Sequence, residues 1–102
     1  MPYRLRFLQT YRPQDREAFL AAEARFVRLE RDRPDLPQGR RHQPVTGRLA
    51  TNTLIWECEF PTLADLHESL ARLSADPHHG ELFRDQAPYI TDAYTEIDEV
   101  LD

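Results

Sequence analysis

Three features of the sequence predict an α+β fold: a four-stranded antiparallel sheet with helices on one face. Two stretches repeat apolar residues at helical spacing, three others carry the alternation or the β-branched and aromatic content of strands, and a proline- and arginine-rich segment between them reads as part loop and part edge strand. The resulting order is strand, helix, strand, strand, helix, short helix, strand, a ferredoxin-like layout.

The opening YRLRFLQTY places Tyr3, Leu5, Phe7 and Tyr11 on one parity and arginines on much of the other, as in a half-buried strand. Pro13 suits the first turn of a helix, Asp15 and Glu17 suit its positive end, and Phe19, Ala22, Phe26 and Leu29 recur on one stripe through Arg33. Pro34 and Pro37 end that helix, and PDLPQGRRHQPVTGR supplies the loop and edge strand. In TNTLIWECEF, Leu54, Trp56, Cys58 and Phe60 share a face, while Ile55 interrupts the polar one. Pro61 and Thr62 open a second helix, along which Leu63, Leu66, Leu70 and Leu73 step by three and four. After SADPHHGELFRDQAP, YITDAYTEIDEV has the content of a last strand, with Glu99 to Asp102 fraying.

Helices cover only one face of such a sheet. Leu8, Ile55, Ile90 and Tyr94 add apolar surface on the other parity, so a second cover is needed. A second copy laying its own sheet against this one supplies it, which predicts a homodimer.

A chain of 102 residues suits one domain, 1–102, with one modest core. With 40% hydrophobic and 30% charged residues it reads as globular with much solvated surface, not disordered. No run reaches the roughly eighteen apolar residues of a membrane span. MPYRLRF lacks the apolar core of a signal peptide, so a cytoplasmic protein with no membrane partner is expected. The lone Cys58 has no disulfide partner and no neighbour that would favour a thiolate, so it reads as a small core hydrophobe. The net charge of −5 hides an asymmetry: residues 1 to 48 hold eleven Arg against six acids, and residues 49 to 102 hold two against twelve. Such a split either steers nucleic acid or reflects complementary faces within or between subunits. The acidic total favours the second, and no nucleic-acid partner is expected.

The adjacent His78 and His79 of SADPHHGELF invite a metal reading, but Asp76 is a good N-cap, Pro77 suits the first helical position, and the motif is a helix start. Neighbouring histidines diverge by about 100° on a helix, so no metal site is expected. His67 borders the apolar stripe of the second helix, either as a packed residue or as a pocket residue. Trp56 in a central strand is either core or the wall of a cavity. Arg40, Arg41, His42 and Arg48 would grip a carboxylate or phosphate if their loop folded over a cavity, and otherwise form a solvated loop. Glycine-rich phosphate loops, paired CxxC, GxSxG and HExxH are absent.

With this order of elements, NTLIWECEF followed by PTLADLHESLARL and then ADPHHGELFRDQAPYI, the chain resembles the dimeric α/β barrel superfamily over nearly its whole length. That superfamily includes NIPSNAP-like and antibiotic-biosynthesis monooxygenase-like domains. The resemblance implies a homodimer whose sheets face each other, and in each subunit a cavity between sheet and helices for a small hydrophobic, aromatic or polyketide-like ligand. Trp56, His67 and His78 are the ligand-pocket candidates by position, with no catalytic residue assigned. Haem-degrading members carry an Asn on the first strand, and YRLRFLQTY has none, so no cofactor is expected. Two function classes follow. One is a cofactor-independent oxygenase in which a dry pocket binds an electron-rich substrate and a histidine accepts its proton. The other is a non-catalytic dimeric ligand-binding or interaction module with a filled core around Trp56.

Overall fold

The computed structural model of the protein describes residues 1–101. Strand β1 (Tyr3–Tyr11) leads through one 3-10 turn, Pro13–Asp15, into helix α1 (Arg16–Asp32). A loop brings the chain to the short strand β2 (Arg40–His42) and then to β3 (Thr53–Phe60). Helices α2 (Leu63–Ala75) and α3 (Pro77–Gln86) follow, and a second 3-10 turn delivers β4 (Ile90–Glu99). The sheet order is β2-β3-β1-β4 with every neighbouring pair antiparallel, the four-stranded α+β architecture expected from the pattern. The edge-strand character expected of the arginine-rich segment is confined to the three residues of β2.

Register sorts the side chains into two faces. Leu5 lies between Cys58 and Ile97, Phe7 between Trp56 and Thr95, and Gln9 between Leu54 and Ala93, all on the helix side. Arg4, Arg6, Leu8 and Thr10 occupy the other side with Glu57, Ile55, Tyr94 and Asp98 among their cross-strand neighbours. Ile90, expected there too, instead packs with Tyr11, Phe19 and Leu54 on the helix side. The cause is a register shift between Thr10 and Tyr11, which turns the first residue of β4 to the opposite face. The expected fraying does not begin at Glu99, which pairs with Tyr3, or at Val100, whose N–H donates to the Pro2 carbonyl at 2.9 Å; Leu101 is exposed and outside the strand. Asp102, the end of that expectation, lies outside the described residues.

On α1 the buried stripe is Phe19, Glu23, Phe26 and Leu29, so a glutamate takes the place expected for Ala22. The Thr62 hydroxyl caps α2 by accepting from the Asp65 N–H at 3.1 Å, and Asp76 caps α3 by accepting from the His79 N–H at 3.0 Å. Helix α3 continues through Gly80, unbroken, to Gln86. The core divides into three clusters. Leu5, Trp56, Phe60 and Leu66 join the sheet to α2, and Tyr11, Phe19 and Leu54 join it to α1. Phe26, Leu29, Leu36, Leu73 and Leu82 bind the helices to one another. A cavity separates the helical cluster from the sheet.

The charge asymmetry resolves into ion pairs between the two halves of the chain. Arg4 pairs with Asp98, Arg6 with Glu57 and Glu96, Arg25 with Asp85, and Arg33 with Asp76. Among the described residues no helix is long and apolar enough to cross a membrane, and no group of three His, Cys, Asp or Glu side chains is arranged to hold a metal ion.

Candidate functional site

The cavity has a volume of about 470 Å³ and lies between the sheet, α1 and α3. Phe7, Gln9 and Trp56 form its floor, Phe26 and Phe83 face them from the helices, and Leu36 closes one side. Ala93, Tyr94 and Thr95 of β4 border it where that strand is exposed. Trp56 stacks on Phe7 with ring centroids 5.3 Å apart, the two residues lying directly across from each other on neighbouring strands. The approach of Gly39 fixes the indole from above. A Cβ at that position would lie 1.9 Å from Trp56 Nε1 and Cε2, so only glycine fits.

One wall is charged. Arg41, pointing to the helix side of β2, donates from Nε to Glu23 at 2.6 Å and from its NH2 group to Glu30. Glu23 also accepts from Gln86 Nε2 at 2.8 Å, and Glu30 accepts from the Gly39 N–H at 3.0 Å and from Trp56 Nε1 at 3.5 Å. The network therefore ties α1, α3, β2 and β3 together around the cavity. Burial by itself lowers the Arg41 pKa, but the hydrogen bonds and charges of Glu30 and Glu23 outweigh it and hold the guanidinium above its ordinary value. Gln38 completes this corner by donating from Nε2 to the Glu30 and Arg33 carbonyls at the end of α1 and to the Leu36 carbonyl in the loop beyond it.

His79 is the titratable side chain on the opposite wall. Its ring meets Phe26 edge-on at 5.2 Å, and burial pushes its pKa below the ordinary histidine value, against the opposing charges of Asp76 and Glu30. The imidazole is therefore neutral at pH 7, and among the described residues neither ring nitrogen has a hydrogen-bond partner, the bond to Asp76 being made by the backbone N–H. Such a group can accept a proton or a hydrogen bond from a ligand.

Of the three pocket candidates, the structure places Trp56 in the cavity wall and leaves His67 and His78 exposed and outside it. His67 projects from the solvent side of α2, and His78 from the solvent side of α3. The helical turn between adjacent residues is what sends His79 inward and His78 outward. Arg41 reaches the cavity, whereas Arg40 and Arg48 are exposed and His42 lies 3.4 Å from Glu57 on the other sheet face. Cys58 is free, and burial together with the charge of Glu30 pushes its thiol up, so it stays protonated. Glu23 and Glu30 were not singled out from the sequence. Their signal was the seven-residue spacing that puts both on the stripe of Phe19 and Phe26.

No protein-family model matches the sequence, and no curated protein matches it. Solved structures do match. A NIPSNAP-like domain protein from Burkholderia xenovorans superimposes with a TM-score of 0.78 at 20% identity, over 98% of this chain and 85% of that one. A NIPSNAP family protein from Agrobacterium tumefaciens gives 0.80 at 16% identity, over 100% and 95%. An antibiotic biosynthesis monooxygenase gives 0.69 at 14% identity, over 98% and 99%. The chain shares their ferredoxin-like fold. At these identities the likeness concerns architecture, and the chemistry has to be argued from the cavity.

Proposed function

We propose that this domain binds a small aromatic or polyketide-like molecule in the cavity between the sheet, α1 and α3. The observation that carries the reading is an aromatic-walled space of about 470 Å³ with one neutral, unpartnered imidazole in its wall. That size and lining suit a ligand of two or three fused rings, and His79 supplies the acceptor for its hydroxyl. Trp56 is the only tryptophan of the chain, so its fluorescence reports occupancy directly. Titration with polycyclic phenols should quench it saturably, and His79→Phe should weaken binding about tenfold, the worth of one good hydrogen bond. Saturable quenching of equal affinity in that variant would remove His79 from the site.

The finer chemistry this arrangement supports is cofactor-independent oxygenation. For a phenolic ligand whose ring system also carries a methylene, His79 takes the phenolic proton, the electron-rich ring is itself the reductant of dioxygen, the methylene becomes a carbonyl, and the second oxygen atom leaves as water with the two methylene hydrogens. The alternative is a non-catalytic dimeric ligand-binding module, favoured by the lack of a side chain that orients the His79 ring. Oxygen uptake with a bound phenol separates the two: uptake abolished in His79→Phe supports the oxygenase, and binding without uptake supports the module.

We also propose that two copies pair through the sheet face opposite the helices. What supports the reading is β4, exposed on both faces, with Tyr94 41% exposed beside Leu8 and Ile55, which are themselves already buried at 1% and 6% in the single chain.

A further inference from the structure

The charge of the cavity bears on which ligand it takes, an inference that rests on the binding reading above. Among the described residues, three charged side chains line the cavity: Glu23, Glu30 and Arg41, two carboxylates against one guanidinium. Every nitrogen of that guanidinium is already engaged, Nε with Glu23 at 2.6 Å and both terminal nitrogens with Glu30. An incoming carboxylate or phosphate would compete with two resident carboxylates for it, and would find no unpaired cation in the wall. Gln86 is no substitute for a cation: it is neutral, and one of its two Nε2 hydrogens is already given to Glu23 at 2.8 Å. What the wall leaves over is neutral or negative: the His79 ring with one donor and one acceptor nitrogen, and the second lone pairs of the two glutamates, so the net charge of the wall is that of one carboxylate. The uncompensated negative charge sits where burial weakens screening, with Glu23 only 7% exposed.

We propose that the cavity selects aromatic ligands that donate hydrogen bonds or carry positive charge, phenols and aryl-alkylammonium ions, and rejects aromatic carboxylates. Glu23 and Glu30 determine that specificity. The arginine-rich segment thus serves the opposite purpose to the anion grip its sequence suggests, because its one inward-facing member is neutralised in place.

The test is calorimetric titration of the unmodified chain near neutral pH with three ligands of one ring system: naphthol, naphthylmethylammonium and naphthoate. Naphthoate should bind at least about tenfold more weakly than the ammonium ligand, the effect of one partly screened charge contact. Glu23→Gln removes one charge while Arg41 keeps Glu30, and should narrow that gap several-fold. Naphthoate binding as tightly as the other two overturns the proposal while leaving the cavity a binding site. Failure of all three ligands to bind overturns the binding reading itself and the specificity with it. If Glu23→Gln does not fold, judged by circular dichroism, the ranking on the unmodified chain decides.

Discussion

A Cβ on Gly39 would fall 1.9 Å from the Trp56 indole, and the same glycine donates its N–H to Glu30 at 3.0 Å. Gly39→Ala should therefore push the indole off Phe7 or the loop off α1. A stability loss of about 1–3 kcal/mol is expected from overpacking, with a red-shifted Trp56 emission; unchanged emission would mean that the loop yields instead of the ring. At His79 the sign of the pH effect follows from burial. The folded pKa lies below the ordinary value, so the unfolded chain takes up the proton first as pH falls below about 6.5. The contribution of this group is present above that pH and is lost as pH falls through the folded value. Chemical denaturation from neutral to mildly acidic pH should show wild type losing stability relative to His79→Phe, and parallel pH curves would refute it. Phenol binding should decline over the same window, since imidazolium no longer accepts.

Among the elements, α1 and α3 are held beside the cavity by polar contacts as well as by the Phe26 cluster. Asp76 caps α3 and also accepts from Arg33 at 2.8 Å, and the cap to His79 with the Arg33 contact keeps its carboxyl below the usual range. Asp76→Ala should cost about 1 kcal/mol through the lost cap, while Asp76→Asn should retain most of that stability in urea denaturation. Arg41 joins β2 to α1 in a more buried setting. Arg41→Met leaves two half-satisfied carboxylates under the sheet and should cost about 3–5 kcal/mol. A loss below about 1 kcal/mol would indicate that water already reaches both glutamates. The α1 stripe shows where periodicity misleads: an apolar 3.6-residue repeat marks which positions are inward, but Glu23 meets that repeat as well as Ala22 does. Only a cation contributed by β2, eighteen residues away, allows a carboxylate there.

For the whole molecule, the sheet face opposite the helices carries a ladder in which Arg4 and Arg6 alternate with Glu57, Glu96 and Asp98, beside the Leu8, Ile55 and Tyr94 strip. Native mass spectrometry should find twice the mass of one chain, and Tyr94→Arg should shift the population to monomer. A wild-type monomer at micromolar concentration would overturn the proposed pairing. Part of the charge split is compensated inside the chain, through Arg4, Arg6, Arg25 and Arg33 pairing with acids of the second half. Added salt should accordingly lower stability only modestly, because most of these pairs are exposed.

The order of the elements, and all of them but the extent of β2, were legible in the chain. Alternation in YRLRFLQTY and TNTLIWECEF, leucines three and four apart after Thr62, and the Asp-Pro start of α3 are local signals that act through backbone geometry within one turn or one pleat. The sequence by itself also determined that Trp56 faces inward, since parity alone assigns that. Tertiary structure decided which histidine meets the cavity, because His78 and His79 differ by one helical step and only the docking of α3 on α1 sets the phase. It decided that Ile90 turns to the helix side, through one register shift. And it decided the charge of the site, because pairing Arg41 with Glu23 and Glu30 depends on side chains eighteen and eleven residues apart meeting across a sheet edge, a distance at which no periodicity in the chain carries information.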